Sequence, residues 1–382
     1  MTGRESIRAV FVNSERLGRF RFSEEHPFKP ERVGLVYRMC VDRGLLSPAG
    51  IRVECVESEI PGVLERFHTA EYIEALKRAD SGVDVDLEML HHGIGSPENP
   101  IFKGVYGFSA LSATASLAAA RCVIEGAPVS FNPCGGFHHA HPDRASGFCY
   151  VNDVVIAIEE LRARGLRTAY LDIDAHHGDA VQEAYYGTGE VLTVSMHETG
   201  KTLFPWGGFE KERGEGAGEG FNINLPLEPE TDDEIFLGLF EHVAMDAFSL
   251  FGPDVVVAQV GTDMLATDPL AHLRLTYNGY IEAIEMLHKA FPRIVALGGG
   301  GYNLDDVAKC WTLLWAELSG QELEDQYGGA LGGVFLGDTT LQGSDLRDMR
   351  SYTSGPVKER LRDGAERLTA HYRDRIRPLL GR

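Results

Sequence analysis

Five short runs rich in β-branched residues punctuate the chain, and stretches of helical period lie between them. They are Val129 to Phe131, Thr168 to Ile173, Val191 to Ser195, Val255 to Val260 and Ile294 to Leu297. Apolar runs this short and continuous are strands buried on both faces. Strands that alternate with helices pair in parallel, beneath a helical layer on each side. Helix signals fall where that scheme needs them. Asn152-Asp153 can cap VVIAIEELRAR, which Gly165 stops, and Thr231-x-x-Glu234 forms a capping box before IFLGLFEHVAMDAF. Further helices are expected over 277–290, 303–319 and 357–375. The fold class is therefore α/β. No repeat or low-complexity linker divides the chain, so residues 1–382 read as a single domain. The segment 199–220 is the longest predicted loop, and loops of that length are often functional.

Charge and cysteine usage narrow the function classes. The formal net charge is −21, which argues against nucleic acid and against anionic membrane surfaces, and leaves cationic substrates open. Six scattered cysteines form no CxxC pair, so a cysteine-rich structural zinc site is not expected. Reduced thiols in a cytoplasmic setting are the simple expectation. The N-terminal segment carries charges throughout and no apolar core, so no secretory signal is expected. The apolar strip 110–120 is rich in small residues and reads as too short to cross a bilayer.

The chemistry collects where strands end. In open parallel sheets, ligands bind beyond the carboxyl ends of the strands. Five predicted strands run into SFNPCGGFHHAHPD, AYLDIDAHHGD, TVSMHE, VVAQVGTDMLATDP and IVALGGGGYN. One such ending would mean little; five that supply acids, imidazoles and a tyrosine point to a shared site. In an extended chain Asp172, Asp174 and His176 share a face. With Asp263 from another strand end, Asp174 and His176 make an Asp₂His set with an open position, the pattern of a catalytic zinc. An isolated Asp-x-His more often caps a helix; the company of Asp263 and the paired histidines favours the metal.

His138 and His139 are adjacent, cannot easily chelate one ion together, and suit proton transfer. Asp172 and Asp179 are left to orient and charge-stabilise them. Gly298 to Gly301 is no GxGxxG motif, so a nucleotide site is not supported. The run instead brings backbone close to a site and presents Tyr302, whose phenol can donate to a developing oxyanion. Phe148 and Phe204 could form an apolar slot for a methylene chain. Cys149 reads as structural, because nothing in its neighbourhood would make it a nucleophile.

As a set, HPFKPER (26–32), FHTAEYIEAL (67–76), GGFHHA (135–140), SGFCYVND (146–153), YLDIDAHHGD (170–179), QVGTDMLATDP (259–269) and GGGGYN (298–303) resemble the zinc-dependent histone deacetylase family, of the arginase–deacetylase fold. They occur in the family's order across roughly residues 18–320, and TLFPWGGFEKERGEGAGEGFNINLPL resembles the bacterial acetoin-utilization branch. The resemblance implies a sheet of about eight strands and an amidohydrolase acting on acetyl-lysine of proteins or peptides. It implies Zn2+, with Fe2+ as the other candidate occupant, held by Asp174, His176 and Asp263. His138 would pair with Asp172, His139 with Asp179, and Tyr302 would grip the acetyl carbonyl. Gly147, Phe148, Phe204 and Leu270 would line the acyl-lysine tunnel, and Arg32 would lie by an internal acetate channel. A structural K+ would sit at Asp172, Asp174, His176, Ser195 and Met196, and a second at Tyr185, Thr188, Val191 and Phe221.

Two departures from the family pattern bear on the tunnel mouth. The rim aspartate that holds substrate backbone appears as Glu98, and Trp206 stands where a small residue is common. Residues 321–382 carry no motif and receive no role beyond extending the same domain. An acetylpolyamine deacetylase would use the same site, but Leu270 offers no acid to a distant ammonium. An arginase-like dinuclear centre needs more carboxylate ligands, and a catalytically dead acyl-lysine binder would not need every catalytic position filled. No sequence feature bears on oligomeric state.

Overall fold

The computed structural model describes residues 7–81, 85–323, 346–348 and 350–380. Eight strands form one sheet: β1 (Ala9–Asn13), β2 (Ile51–Cys55), β3 (Val129–Asn132), β4 (Thr168–Asp172), β5 (Val191–Glu198), β6 (Asn222–Leu227), β7 (Val255–Gln259) and β8 (Ile294–Leu297). Their order is β2-β1-β3-β8-β7-β4-β5-β6, and every neighbouring pair is parallel. Side chains alternate between two cores, as strands covered on both faces require. Leu171, Ala258 and Ala296 enter one core, while Tyr170, Val257 and Val295 enter the other.

The helices that matter below are α1 (Arg32–Asp42), α2 (Val105–Ile124), α3 (Asp153–Arg162), α4 (Asp179–Tyr185), α5 (Asp233–Leu239), α6 (Tyr277–Ala290), α7 (Leu304–Leu318) and α8 (Gly355–His371). Asn152 caps α3 by accepting from Val155 N–H, as its sequence predicts. The cap of α5 is one residue later than the Thr231 box suggests: Asp232 accepts from Ile235 N–H, and the Thr231 hydroxyl donates to the Glu228 carbonyl. Asp is itself a favoured N-cap, and Lys358 of α8 also donates to both Asp232 oxygens, at 2.8 and 2.9 Å. The strip at 110–120 lies inside α2, whose 20 residues are long and apolar enough to cross a membrane, contrary to the sequence reading. That helix is mostly buried instead, and Ser109, Ser112 and Thr114 donate back to carbonyls four residues earlier.

The four central strands end on one line. Asn132 aligns with Leu297, Leu297 with Gln259, and Gln259 with Asp172. The segments that follow β3, β8, β7 and β4 therefore leave the sheet side by side.

Candidate active site

Asp174 and His176 follow β4, and Asp263 follows β7. One ligand atom from each lies within 4.8 Å of the other two, and all three side chains are buried. His176 turns Nδ1 to within 3.1 Å of Asp174 and 2.9 Å of Asp263. The chain is no longer extended here. Asp172 Oδ1 accepts from Asp174 N–H, and Asp174 Oδ1 accepts from His176 N–H, so each carboxylate shapes the next turn. The expected shared face is thus replaced by a tight coil that sends Asp172 to a different partner.

The donor set and its surroundings fit a divalent cation. Two carboxylates and an imidazole leave room for water or substrate. Burial and the neighbouring Asp174 charge push the Asp263 carboxyl up to about 8, as expected for two acids competing for too little positive charge. Space is reserved for the carboxylates: a Cβ on Gly300 would lie 2.0 Å from Asp263 Oδ2 and 2.9 Å from Asp174 Oδ2. The remaining lone pairs are occupied. Asp263 Oδ1 accepts from Ala175 N–H at 2.8 Å, and Asp174 Oδ2 accepts from Gly300 N–H and the Gln259 amide, both at 2.6 Å.

His138 and His139 follow β3, with ring centres 4.0 Å apart. Each directs Nδ1 to its own carboxylate at 2.8 Å, His138 to Asp172 and His139 to Asp179. Their electrostatics diverge. Burial opposes charge on His138, but Asp172 and Asp174 outweigh it and carry the ring up to about 9. Burial and the His138 charge lower His139 to about 4, with Asp179 offsetting only part. The pair therefore offers one cationic and one neutral imidazole near neutral pH.

Tyr302 follows β8, and its ring lies 6.3 Å from that of His176. Burial and the nearby Asp263 and Asp174 charges hold its phenol well above the usual value, so it stays a donor. Phe148 packs 5.8 Å from Tyr302, and Phe204 packs 5.1 Å from His139, with Gly147 between Phe204 and His139. Phe28, Phe137, His138, His139, Phe148 and Tyr302 line one narrow pocket that reaches Asp174 of the cluster.

The other predicted positions are spread around this centre. Leu270 is partly buried, and Asp268 joins it to Tyr302 by accepting from both N–H groups at 2.9 and 2.8 Å. Glu98 is exposed; its carbonyl, not its side chain, is engaged, accepting from His26 at 3.0 Å. Trp206 is 63% exposed and does not line the pocket. Arg32 is buried, packs over Phe28 and Trp311, and donates to the carbonyls of Gly299 and Gly301, leaving its Nε–H without a partner. Ser195 lies opposite Asp172 in the sheet, beside Met196, and its hydroxyl bonds His197. Tyr185, Thr188, Val191 and Phe221 gather near the start of β5, where Thr188 N–H donates to the Tyr185 carbonyl and Thr193 N–H to that of Phe221. One predicted contribution fails. The β5 ending TVSMHE sits outboard of the central four strands; His197 holds the Gly208 carbonyl and Glu198 holds His272, so neither reaches the ligands.

Several supporting residues are missing from the sequence reading. Gln259 anchors Asp174, Tyr170 donates to Asp172 at 2.6 Å, and Asp153 accepts from Gly136 and Phe137 N–H to shape the turn before the histidines. A polar Gln259 closing an otherwise apolar strand is the signal that could have exposed the first. His26, at 4.6 Å from the Phe148 ring, links Phe148 to the Glu98 loop.

Comparison with known proteins agrees with this geometry. A family profile described as "Histone deacetylase domain" matches residues 26–318. The acetoin utilization protein AcuC of Bacillus subtilis (strain 168) is 36% identical over 320 residues, covering 82% of each chain. The histone deacetylase clr6 of Schizosaccharomyces pombe is also 36% identical over 320 residues, which are 82% of this chain and 78% of clr6. Among solved structures, an HDAC homolog from Aquifex aeolicus superposes with a TM-score of 0.83 at 32% identity, covering 95% of this chain and 100% of the homolog. An HDAC homolog complexed with SAHA gives 0.81 at 31% identity, with the same coverage. A parallel sheet whose four central strand ends deliver two His–Asp pairs, a buried Asp₂His cluster and a phenol thus carries a deacetylase hydrolase, and the chain belongs to the histone deacetylase family, in its bacterial acetoin-utilization branch.

Proposed function

We propose that the chain, acting as one domain in the cytoplasm, hydrolyses the acetyl amide of lysine side chains in proteins or peptides. The observation that carries this reading is the narrow pocket, walled by aromatic rings and the His138 and His139 imidazoles, that reaches Asp174 of a buried Asp₂His cluster. Asp174, His176 and Asp263 would hold Zn2+, or Fe2+, which would supply Lewis acidity toward the amide carbonyl and lower the pKa of bound water.

The protein's own groups move the protons. With Nδ1–H donated to Asp179, His139 keeps Nε2 for the proton of the attacking water, and the same atom returns it to the leaving lysine amine. His138, bonded to Asp172, which favours its charged form, sits beside the reaction centre and favours developing negative charge. The Tyr302 phenol donates to the tetrahedral oxyanion. Phe148 and Phe204 sandwich the methylene stem, Gly147 leaves it space, Leu270 covers its rim end, and Glu98 accepts from the substrate backbone. Arg32, a buried cation with an open Nε–H, guides acetate away. This reading also assigns a structural K+ to Asp172, Asp174, His176, Ser195 and Met196, and a second to Tyr185, Thr188, Val191 and Phe221.

Two experiments test the assignment. Tyr302→Phe removes one hydroxyl and leaves the ligands intact, so kcat should fall by about 10²- to 10³-fold with little change in KM. Near-native kcat on an acetyl-lysine peptide would return Tyr302 to a packing role. Substrate class is tested at Leu270, with an acetyl-lysine peptide and an acetylpolyamine assayed side by side. The unmodified protein should prefer the peptide, because an apolar rim desolvates a distant ammonium without pairing it. Leu270→Glu supplies the partner, and a charged hydrogen bond of about 1.5–3 kcal/mol corresponds to a relative gain for the polyamine of about 10- to 150-fold in kcat/KM. A wild-type preference for the acetylpolyamine would overturn the lysine assignment.

A further inference from the structure

The long segment 199–220 brings Phe204 against His139, yet its sequence is rich in glycine and polar residues and offers little apolar anchorage. A polar lock beneath it supplies the fixing. Glu212 accepts from Gly208 N–H at 3.3 Å and Phe209 N–H at 2.9 Å, and also from the Gln182 side-chain amide at 2.8 Å. The Gln182 carbonyl oxygen is itself surrounded by donors: Asn222 at 2.8 Å, Asn224 at 2.7 Å and His177 Nε2 at 3.0 Å. The loop backbone is seated so closely on this floor that a Cβ on Gly208 would fall 2.0 Å from the His177 ring and 2.4 Å from His197 Nε2. His197 Nε2 in turn donates to the Gly208 carbonyl at 2.8 Å. From Gly208 the path to the wall is short. Gly207 packs on Gly200, and Trp206 N–H donates to the Leu203 carbonyl at 3.2 Å, closing the turn that projects Phe204.

The position of Gln182 gives this lock its meaning. It lies on α4, which starts at Asp179, the carboxylate that orients His139. One short helix therefore holds His139 through Asp179 and, through Gln182 and Glu212, holds the loop whose Phe204 packs against the same imidazole. We propose that Gln182 and Glu212 are positioning residues that set the Phe204 wall of the acyl tunnel in register with His139. The inference rests on the deacetylase reading for its kinetic consequence and on the hydrogen bonds alone for the anchoring itself.

Glutamine at 212 retains one acceptor oxygen and alanine retains none, so Glu212→Gln and Glu212→Ala form a graded pair. Three readouts are taken on the metal-loaded full chain: bound metal, kinetics on an acetyl-lysine peptide, and backbone amide exchange over 203–209. Glu212→Ala should keep wild-type metal content and exchange 203–209 at least about 10-fold faster. Its kcat/KM should fall about 10-fold, because a misplaced wall spoils alignment at the reacting atoms, and Glu212→Gln should lie between. A double-mutant cycle with Phe204→Ala separates positioning from general weakening: the double variant should be no worse than Phe204→Ala alone, to within about twofold. Losses that multiply, metal lost with activity, or unchanged exchange over 203–209 would each overturn the proposal. Should Glu212→Ala fail to fold, Glu212→Gln decides by the same readouts. Should the wild type fail to turn over acetyl-lysine, the deacetylase reading falls, and amide exchange still decides whether Glu212 anchors the wall.

Discussion

Asp263→Ala is expected to lose bound metal and turnover in one step. Asp263 is fully buried, contributes one of three ligand atoms and accepts from Ala175 N–H, so it both charges the cluster and fixes the turn that carries His176. Its removal leaves one carboxylate and one imidazole, too few to hold a hydrated divalent ion against water in a catalytic site. It also leaves His176 with Asp174 as its only remaining carboxylate partner, which favours an imidazole–carboxylate contact over metal binding. Metal analysis and acetyl-lysine turnover on the same sample check this. A variant that keeps a full equivalent of metal together with its rate would remove Asp263 from the site.

The second large effect separates the two histidines. His139→Ala should lower kcat by about 10²- to 10⁴-fold, the range for a positioned acid–base group, and His138→Ala by clearly less. Their surroundings give the reason. His139 is held neutral largely by burial, so it can accept a proton; His138 is biased toward its charged form by its hydrogen-bonded partner Asp172 and is the poorer acceptor. A steeper loss in His138→Ala would mean that the two roles are exchanged.

Much of this site is legible in the chain because its parts are local. His138 and His139, the Asp174-x-His176 pair, Asp263 and Tyr302 each follow directly on a strand that apolar runs identify. What escapes depends on partners distant in sequence. Asp268 reads as an ordinary turn acid until its second oxygen is found on Tyr302, and Gln259 reads as a strand end until its amide is found on Asp174. The misassigned cap at Thr231 has a local cause instead: Asp232, the next residue, is the better N-cap by type and accepts from Ile235 N–H. Three strands are missing from the sequence reading. β1, AVFVN, is a buried apolar run as legible as the four-residue β3 and β8, whereas β2 is partly exposed and carries Arg52 and Glu54, and β6 alternates Asn222 and Asn224 with apolar residues and contains Pro226. The β5 ending was legible as a strand but not as outboard, because strand order is a property of the assembled sheet.

The most direct measurement is product stoichiometry with purified, metal-loaded protein and an acetyl-lysine peptide. The account predicts one acetate and one free lysine ε-amine per turnover, activity that disappears on chelation and returns with added Zn2+, and a higher kcat/KM than for an acetylpolyamine assayed alongside. A fully metal-loaded, folded protein that releases no acetate from the peptide would contradict it.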